Sequence, residues 1–324
     1  MKILITGCCG FIGFHITKEL LDNKIYKVFG IDNLNSYYDL KLKKNRLKII
    51  SSSKKFTFFK KDLFDKKKIE KIFKTNKFDI IIHLAAQAGV RYSIKNPSTY
   101  FKNNVVCFFN ILELSKEYKV KHLIYASTSS VYGNVKEFPV KEKIDTNKPL
   151  SFYSATKKTN EIMAYSYSNI YRLRTTGLRF FTIYGPYGRP DMSLFKFVKN
   201  IFQNKSIELY NRGEHYRDFT YVDDVVKYVL GLIKTKIKNN KVVPFEIYNI
   251  GNGKPVYLKS FVNIIKKKLD LKVKIKNMPF QKGDVIKTHS DTKKIDKIIN
   301  FKKTAIERGV ENFIKWYKEY YSIK

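Results

Sequence analysis

Apolar residues recur along this chain in two periods. Short, largely apolar segments at 2–6, 27–31, 56–59, 80–83, 122–127 and 175–181 read as strands, the first of them buried. Amphipathic stretches lie between them, at 11–21, about 40–50, 66–75, 98–118 and 153–171. Strand and helix alternate through the first 181 residues, which predicts α/β architecture with a doubly wound parallel sheet. After Phe181 the pattern loosens into a Gly/Pro-rich loop, Gly185-Pro186-Tyr187-Gly188-Arg189-Pro190. Helices are expected at about 193–203, 222–234, 258–269 and 304–321, with strands near 207–210 and 246–250. The division predicted is a domain over 1–181 and a smaller C-terminal α/β lobe over 182–215 and 251–324, with a segment near 216–250 returning to the large domain.

No window reaches the ~18 consecutive apolar residues of a bilayer span, so no membrane partner is expected. The short apolar run after Met1 reads as a first strand rather than a signal segment, and a cytoplasmic location is expected. Three cysteines, Cys8, Cys9 and Cys107, show no paired spacing, so neither a disulfide framework nor a metal site is expected. The net charge of +36 raises the question of nucleic acid. Only nine of the 64 basic residues are arginine, however, and the lysines are dispersed along the whole chain. Clustered Arg/Lys with aromatic platforms is the pattern of a nucleic-acid binder, and it is missing here. The lysines read as a solvated surface and a compositional bias that also favours Ile, Asn, Phe and Tyr. Against that background, an arginine inside a motif marks a need for a planar, two-pronged donor.

Gly7-Cys8-Cys9-Gly10-Phe11-Ile12-Gly13 follows the first strand and opens the first helix. Glycines at these positions permit a tight turn and a close approach of backbone to a pyrophosphate, with the helix N-terminus facing the phosphates. Asp32 ends the second strand 19 residues after Gly13, where a carboxylate binding ribose hydroxyls belongs. It would repel a 2′-phosphate and so favours NAD; the other reading is an Asp capping the next turn. Farther along, Tyr153-Ser154-Ala155-Thr156-Lys157 places a phenol and an ammonium one helical turn apart. The ammonium is expected to lower the tyrosine pKa, and the phenolate to serve as a general base.

The glycine spacing, the Tyr153/Lys157 pair and the Tyr125-Ala126-Ser127-Thr128-Ser129-Ser130-Val131-Tyr132-Gly133 segment together resemble the extended short-chain dehydrogenase/reductase family, the NAD-dependent epimerases and dehydratases. The resemblance implies a Rossmann fold. It implies cofactor contacts from Gly7, Gly10, Phe11, Ile12, Gly13, Asp32, Asn33, Asp62, Leu63, Leu84, Ala85, Ala86, Tyr153 and Lys157, and catalysis by Tyr153, Lys157 and Thr128. The clustered hydroxyls at 127–130 are also compatible with simple turn chemistry. Asn104 matches a helical asparagine that supports the site, and Cys107 stands where glycine is usual. His83, at a strand end, is given no chemistry.

Gln87-Ala88-Gly89-Val90-Arg91-Tyr92-Ser93, Asp32-Asn33-Leu34-Asn35-Ser36-Tyr37-Tyr38-Asp39 and the segment 179–192 resemble UDP-glucuronate 4-epimerases. This implies a UDP-sugar substrate held by Arg91, Ser127, Ser129, Thr182, Arg189, Arg217 and Asp284. Arg189 is expected to grip the sugar carboxylate; its other reading is a cap for the loop. Ser129-Ser130 replace the Asp-Glu of dehydratases and the nearby glutamate of decarboxylases. Tyr187 replaces a tryptophan, and Lys282 stands where proline is common. A neutral UDP-hexose 4-epimerase and a UDP-glucuronate decarboxylase remain alternatives. From outside enzymology, an inactive dinucleotide sensor is disfavoured because Tyr153 and Lys157 are both present. Relatives often dimerise through two helices, and those at about 98–118 and 153–171 are the candidates for a homodimer.

Overall fold

A computed structural model of the chain describes residues 1–23, 25–235, 242–281 and 283–323. Seven parallel strands form the central sheet: β1 (Lys2–Thr6), β2 (Lys27–Asp32), β3 (Phe56–Lys60), β4 (Ile80–His83), β5 (His122–Thr128), β6 (Thr175–Phe180) and, from late in the chain, β10 (Phe245–Ile250). Their order is β10-β6-β5-β4-β1-β2-β3, the doubly wound arrangement whose direction reverses between β1 and β4. Between them run the helices α1 (Phe11–Asp22), α2 (Leu40–Ser51), α3 (Lys66–Asn76), α4 (Val90–Lys95), α5 (Pro97–Tyr100), α6 (Cys107–Glu117) and α7 (Phe152–Tyr171).

β1 shows why the apolar runs carry no alternation. Ile3 and Ile5 join one core with Phe14, Ile16 and Val229, whereas Leu4 joins a second core with Phe73, Phe108 and Leu123 on the other face. Both faces are dry, so each strand position must be apolar.

The remainder adds two small sheets. β7 (Thr182–Tyr184), β9 (Tyr216–Tyr221) and β11 (Pro255–Tyr257) form one; β8 (Ile207–Tyr210) pairs with β12 (Ile275–Met278) in the other. Helices α8 (Ser193–Phe202), α10 (Leu258–Leu269) and α12 (Ile306–Tyr321) surround them and share a third core rich in aromatics. Of the segment expected to return to the large domain, α9 (Val222–Lys234) packs on α1 and β10 joins the large sheet beside β6. β9 stays with β7 and β11. A short α11 (Lys293–Asp296) packs beside β10.

Two expectations need correction. The helix anticipated at about 98–118 is split by a π-helical stretch over Phe101–Val106, where the wider turn presents Asn104 inward. β7, β11 and β12 escaped notice because they have only three or four residues and no alternation to read. Among the described residues no helix is long and apolar enough to cross a membrane.

His83 and His122 are buried at the two ends of the inner strands, each bonded at 2.8 Å to a threonine hydroxyl, Thr6 and Thr176. Burial, helped by the charges of Lys157 and Arg174 respectively, pulls both rings down to about 3. The unfolded chain protonates its histidines from about 6.5. Below that pH the unfolded state binds more protons, so stability falls as pH falls, by up to about 1.4 kcal/mol per pH unit per ring. His15 is likewise held down by burial, to about 4, so urea titrations between about pH 7 and 5 should show the decline of three rings, and His122→Gln should lower its slope by about a third. A flat profile for the parent chain would contradict the assignment.

Candidate active site

The carboxyl ends of β1, β2, β4 and β5 open into one cavity of about 870 Å³ that extends between the large sheet and the smaller lobe. All the residues proposed from sequence for cofactor, catalysis and substrate border it.

The cofactor end is built by absence of side chains. Gly7 has φ +73, and a Cβ there would lie 2.7 Å from the Ala85 nitrogen; one at Gly13 would lie 2.1 Å from the Gly7 carbonyl. Alanine at Gly7 would press the turn against the Leu84–Ala85 backbone after β4, and alanine at Gly13 would push α1 off the turn. Gly10 caps α1 without a side chain, so the first free N–H groups of the helix face the cavity. Asp32 accepts bonds from the backbone N–H of Cys9 at 3.0 Å and of Leu34 at 2.8 Å, which braces the glycine turn against β2. Burial raises its pKa and these donors oppose the rise. Asn33 donates to Asp62 at 3.2 Å, and Leu63 is fixed through its carbonyl by Asn110 at 2.9 Å. Leu84, Ala85 and Ala86 supply a small-residue wall. Cys8 and Cys9 are fully buried, their sulfurs 3.9 Å apart, and burial raises the Cys8 thiol well above its usual range. These thiols and the Asp32 carboxylate lie within 4.8 Å of one another, but the carboxylate oxygens are already engaged by backbone donors. The residues present fit a bound NAD: a side-chain-free cradle at a helix N-terminus, with a carboxylate at the end of β2.

At the centre, Thr128 closes β5, and its hydroxyl donates to Ser130 at 3.2 Å on the cavity wall that Tyr153 also borders. Ser151 and Ser154 cap α7 reciprocally, so Tyr153 and Lys157 project from its first two turns. Burial raises the Tyr153 pKa; the Thr128 hydroxyl and the Arg189 charge oppose it. The lowering expected from Lys157 thus comes here from other groups. Lys157 is itself almost completely buried, and this brings its ammonium down to about 8 while the Glu161 charge holds it up. Its nitrogen lies 3.4 Å from the Asn160 amide oxygen, and Asn160 donates at 2.8 Å to the carbonyl of Asn104 in the π turn. Asn104 also bridges Thr156 and the Gln87 backbone. Cys107, which stands where glycine is usual, follows this turn directly and is buried there.

The hydroxyl of Ser127 does not turn toward the cavity. It donates to Glu161 at 2.6 Å, because alternate residues of β5 face opposite sides of the sheet. Glu161 takes two further bonds of 2.8 Å from Arg179, and both side chains are 4% exposed. Thr128 and Ser129 remain at the cavity, with Thr182 across from them on β7. At the far end Arg91 lies over the Tyr210 ring at 4.8 Å. Arg217 donates to Asp284 at 2.8 Å, so Asp284 holds an arginine rather than standing free for a ligand. Arg189 donates to Asp191 through Nε at 3.0 Å and Nη2 at 2.5 Å. Tyr187, in place of the expected tryptophan, packs between Phe14 and Trp316, with ring centroids at 4.9 Å from each. Lys282 lies outside the described residues.

Residues 3–251 match the model of the NAD dependent epimerase/dehydratase family. This chain belongs to that family. Protein CapI of Staphylococcus aureus is 47% identical, with 99% of each chain covered. A probable UDP-glucuronate 4-epimerase of Rhizobium meliloti is 40% identical over 99% of this chain and 98% of its own. The crystal structure of a UDP-glucuronic acid 4-epimerase from Bacillus cereus, in complex with UDP-glucuronic acid and NAD, superposes with TM-score 0.93 at 31% identity, over 99% of this chain and all of the other.

In this epimerase/dehydratase chain, sequence reasoning overlooked the supports of the site. Glu161 and Asn160 sit four and three residues after Lys157, and that helical spacing was the available signal. Arg179 and Arg46 are both buried, and only scarcity of arginine marked them. Arg46 bonds the carbonyls of Cys9 and Tyr187 and the Tyr38 hydroxyl, joining the glycine turn to the loop after β7. Glu161→Gln should leave Arg179 buried and uncompensated and cost about 3–5 kcal/mol in urea unfolding. Adding Arg179→Met should recover most of the loss. If the single variant unfolds like the parent, the pair does not hold this layer together.

Proposed function

We infer that this chain epimerises UDP-glucuronate at C4, yielding UDP-galacturonate through a 4-keto sugar. The observation that carries the reading is the placement of the Tyr153–Thr128–Lys157 group and Arg189 on one cavity that also holds the glycine cradle. Relatives and structural neighbours bearing the name UDP-glucuronate 4-epimerase support it. Bound NAD supplies the acceptor, and then the donor, of the C4 hydride. Tyr153 as phenolate takes the C4 hydroxyl proton and later returns it, with the Thr128 hydroxyl as relay. The Thr128 hydroxyl and the Arg189 charge favour the phenolate, and Lys157 anchors the cofactor ribose. Gly7, Gly10, Phe11, Ile12, Gly13, Asp32, Asn33, Asp62, Leu63 and 84–86 hold the dinucleotide. Arg91 and Arg217, the latter aligned by Asp284, offer positive charge for the diphosphate.

A 4-keto uronate is a β-keto acid and loses CO₂ when the breaking bond lines up with the ketone. Arg189, with the uncharged hydroxyls of Ser129, Ser130 and Thr182, is suited to hold the carboxylate out of that alignment. No carboxylate follows Thr128 to act as the acid of a dehydratase.

Purified chain given UDP-glucuronate should form a product of unchanged mass that co-elutes with UDP-galacturonate, and Tyr153→Phe should lose at least about 10²-fold in rate. Release of CO₂ would identify a decarboxylase, and turnover of UDP-galactose alone would identify a neutral-sugar epimerase.

A homodimer fits the outer faces of α6 and α7. Phe109, Ile162 and Tyr165 there are 43%, 59% and 50% exposed. Apolar side chains grouped on adjoining helices are the raw material of an isologous interface. Sedimentation velocity should give a dimer for the parent chain and a monomer for Ile162→Lys with Tyr165→Glu. An unchanged sedimentation coefficient would place the interface elsewhere.

A further inference from the structure

Arg189 reaches the cavity wall beside Gly89 and Tyr37, yet its fork is closed on a carboxylate of the same chain. Nε and Nη2 donate to the two oxygens of Asp191, at 3.0 and 2.5 Å. This is the two-pronged geometry by which arginine holds any carboxylate, including one carried by a sugar. The Tyr37 hydroxyl donates to the same Asp191 oxygen at 3.5 Å, and its ring leans on Tyr92 with centroids 5.0 Å apart. Arg189 and Asp191 both border the cavity, with side chains 20% and 31% exposed, so a ligand can reach either partner. Gly89, at φ +110, leaves room beside them. A Cβ there would lie 3.1 Å from the Tyr37 oxygen and 3.9 Å from Nη2 of Arg189. Lys196 borders the same cavity and is a second cation acting on Asp191.

We propose that Asp191 is a specificity-determining residue, an internal carboxylate that fills the Arg189 fork until the carboxylate of a hexuronate sugar takes its place. The exchange keeps Arg189 doubly bonded. The released Asp191 retains Tyr37 as a donor and Lys196 as a counter-charge. A neutral hexose brings no carboxylate, so the fork stays closed against it and Arg189 adds nothing to its binding. The cost of separating the internal pair then falls on the uronate alone, and charge discrimination is set by the strength of the Arg189–Asp191 contact.

This inference rests on the uronate reading above, and the test separates the two. UDP-glucuronate and UDP-glucose are titrated calorimetrically into the NAD-loaded Tyr153→Phe chain, which cannot turn them over. The same titrations are made with Asp191→Asn or Tyr37→Phe added. Asp191→Asn should tighten UDP-glucuronate by about three- to tenfold, the scale of a partly exposed ion pair, and leave UDP-glucose within about twofold. Tyr37→Phe, which removes one donor from Asp191, leaves its carboxylate with Arg189 and the Lys196 charge and should shift the ratio of the two affinities by less. Equal changes for both sugars, or weaker binding of UDP-glucuronate to Asp191→Asn, would mean that Asp191 only props up the loop. If the chain with Tyr153 intact neither converts UDP-glucuronate nor binds it better than UDP-glucose, the uronate reading fails and this inference with it. If it converts UDP-glucuronate but the affinity ratio is unmoved by Asp191→Asn, the inference alone fails.

Discussion

Between β6 and α7, in a layer that water does not reach, Arg179 and Glu161 face each other through two bonds of 2.8 Å. Removing two charges from water is costly, and a well-packed apolar pair of similar volume would serve stability as well or better. What the ion pair supplies is position. Glu161 lies one turn after Lys157 and two after Tyr153 on α7, and it also receives the Ser127 hydroxyl from β5. Arg179 lies over the Tyr132 ring at 4.7 Å and donates to the Glu142 carbonyl at 3.0 Å. Tyr132 in turn donates to Asn249 of β10 at 2.6 Å. The strand that ends in Thr128, the helix that carries Tyr153 and Lys157, and the last strand of the sheet therefore share one buried junction. Thr128 and Tyr153 meet across the cavity because their elements are tied together behind it.

The same division between front and back explains how much of the protein was legible in its sequence. The front of the site is local. A glycine turn needs its glycines at fixed offsets, and a phenol needs its ammonium one turn away, so both motifs stand in consecutive residues. The strands of the large sheet were legible for a related reason: burial on both faces leaves continuous apolar runs. The back is non-local. Glu161 and Arg179 are 18 residues apart, and Arg46 reaches 141 residues to the carbonyl of Tyr187. No window contains both ends of such contacts. The π turn at 101–106 was hidden as well, because its sequence keeps an ordinary helical pattern while its geometry is set by what Asn104 must reach. Ser127 and Thr128 illustrate the finest grain. The two hydroxyls look interchangeable in the sequence, and the pleat sends one to the buried junction and the other to the cavity.

Charge is handled differently inside and out. Most of the excess lysine is solvated on the surface, where it raises the local concentration of anionic ligands at low salt and does little for the fold. Inside the cavity four of the cations have a particular neighbour. Arg217 has Asp284, Arg189 has Asp191, Arg91 has the Tyr210 ring, and Lys157 has the distant pull of Glu161 against its own burial. Arginine serves where a carboxylate or phosphate must be held in a plane. At Lys157 a lysine serves because a shifted ammonium near working pH is useful there, and lysine gives up its proton more readily than arginine when buried. A surface rich in lysine and three arginines set around the cavity therefore meet two separate demands. The first concerns solubility and encounter, and the second concerns the geometry in which an acidic sugar must lie while its C4 configuration is inverted.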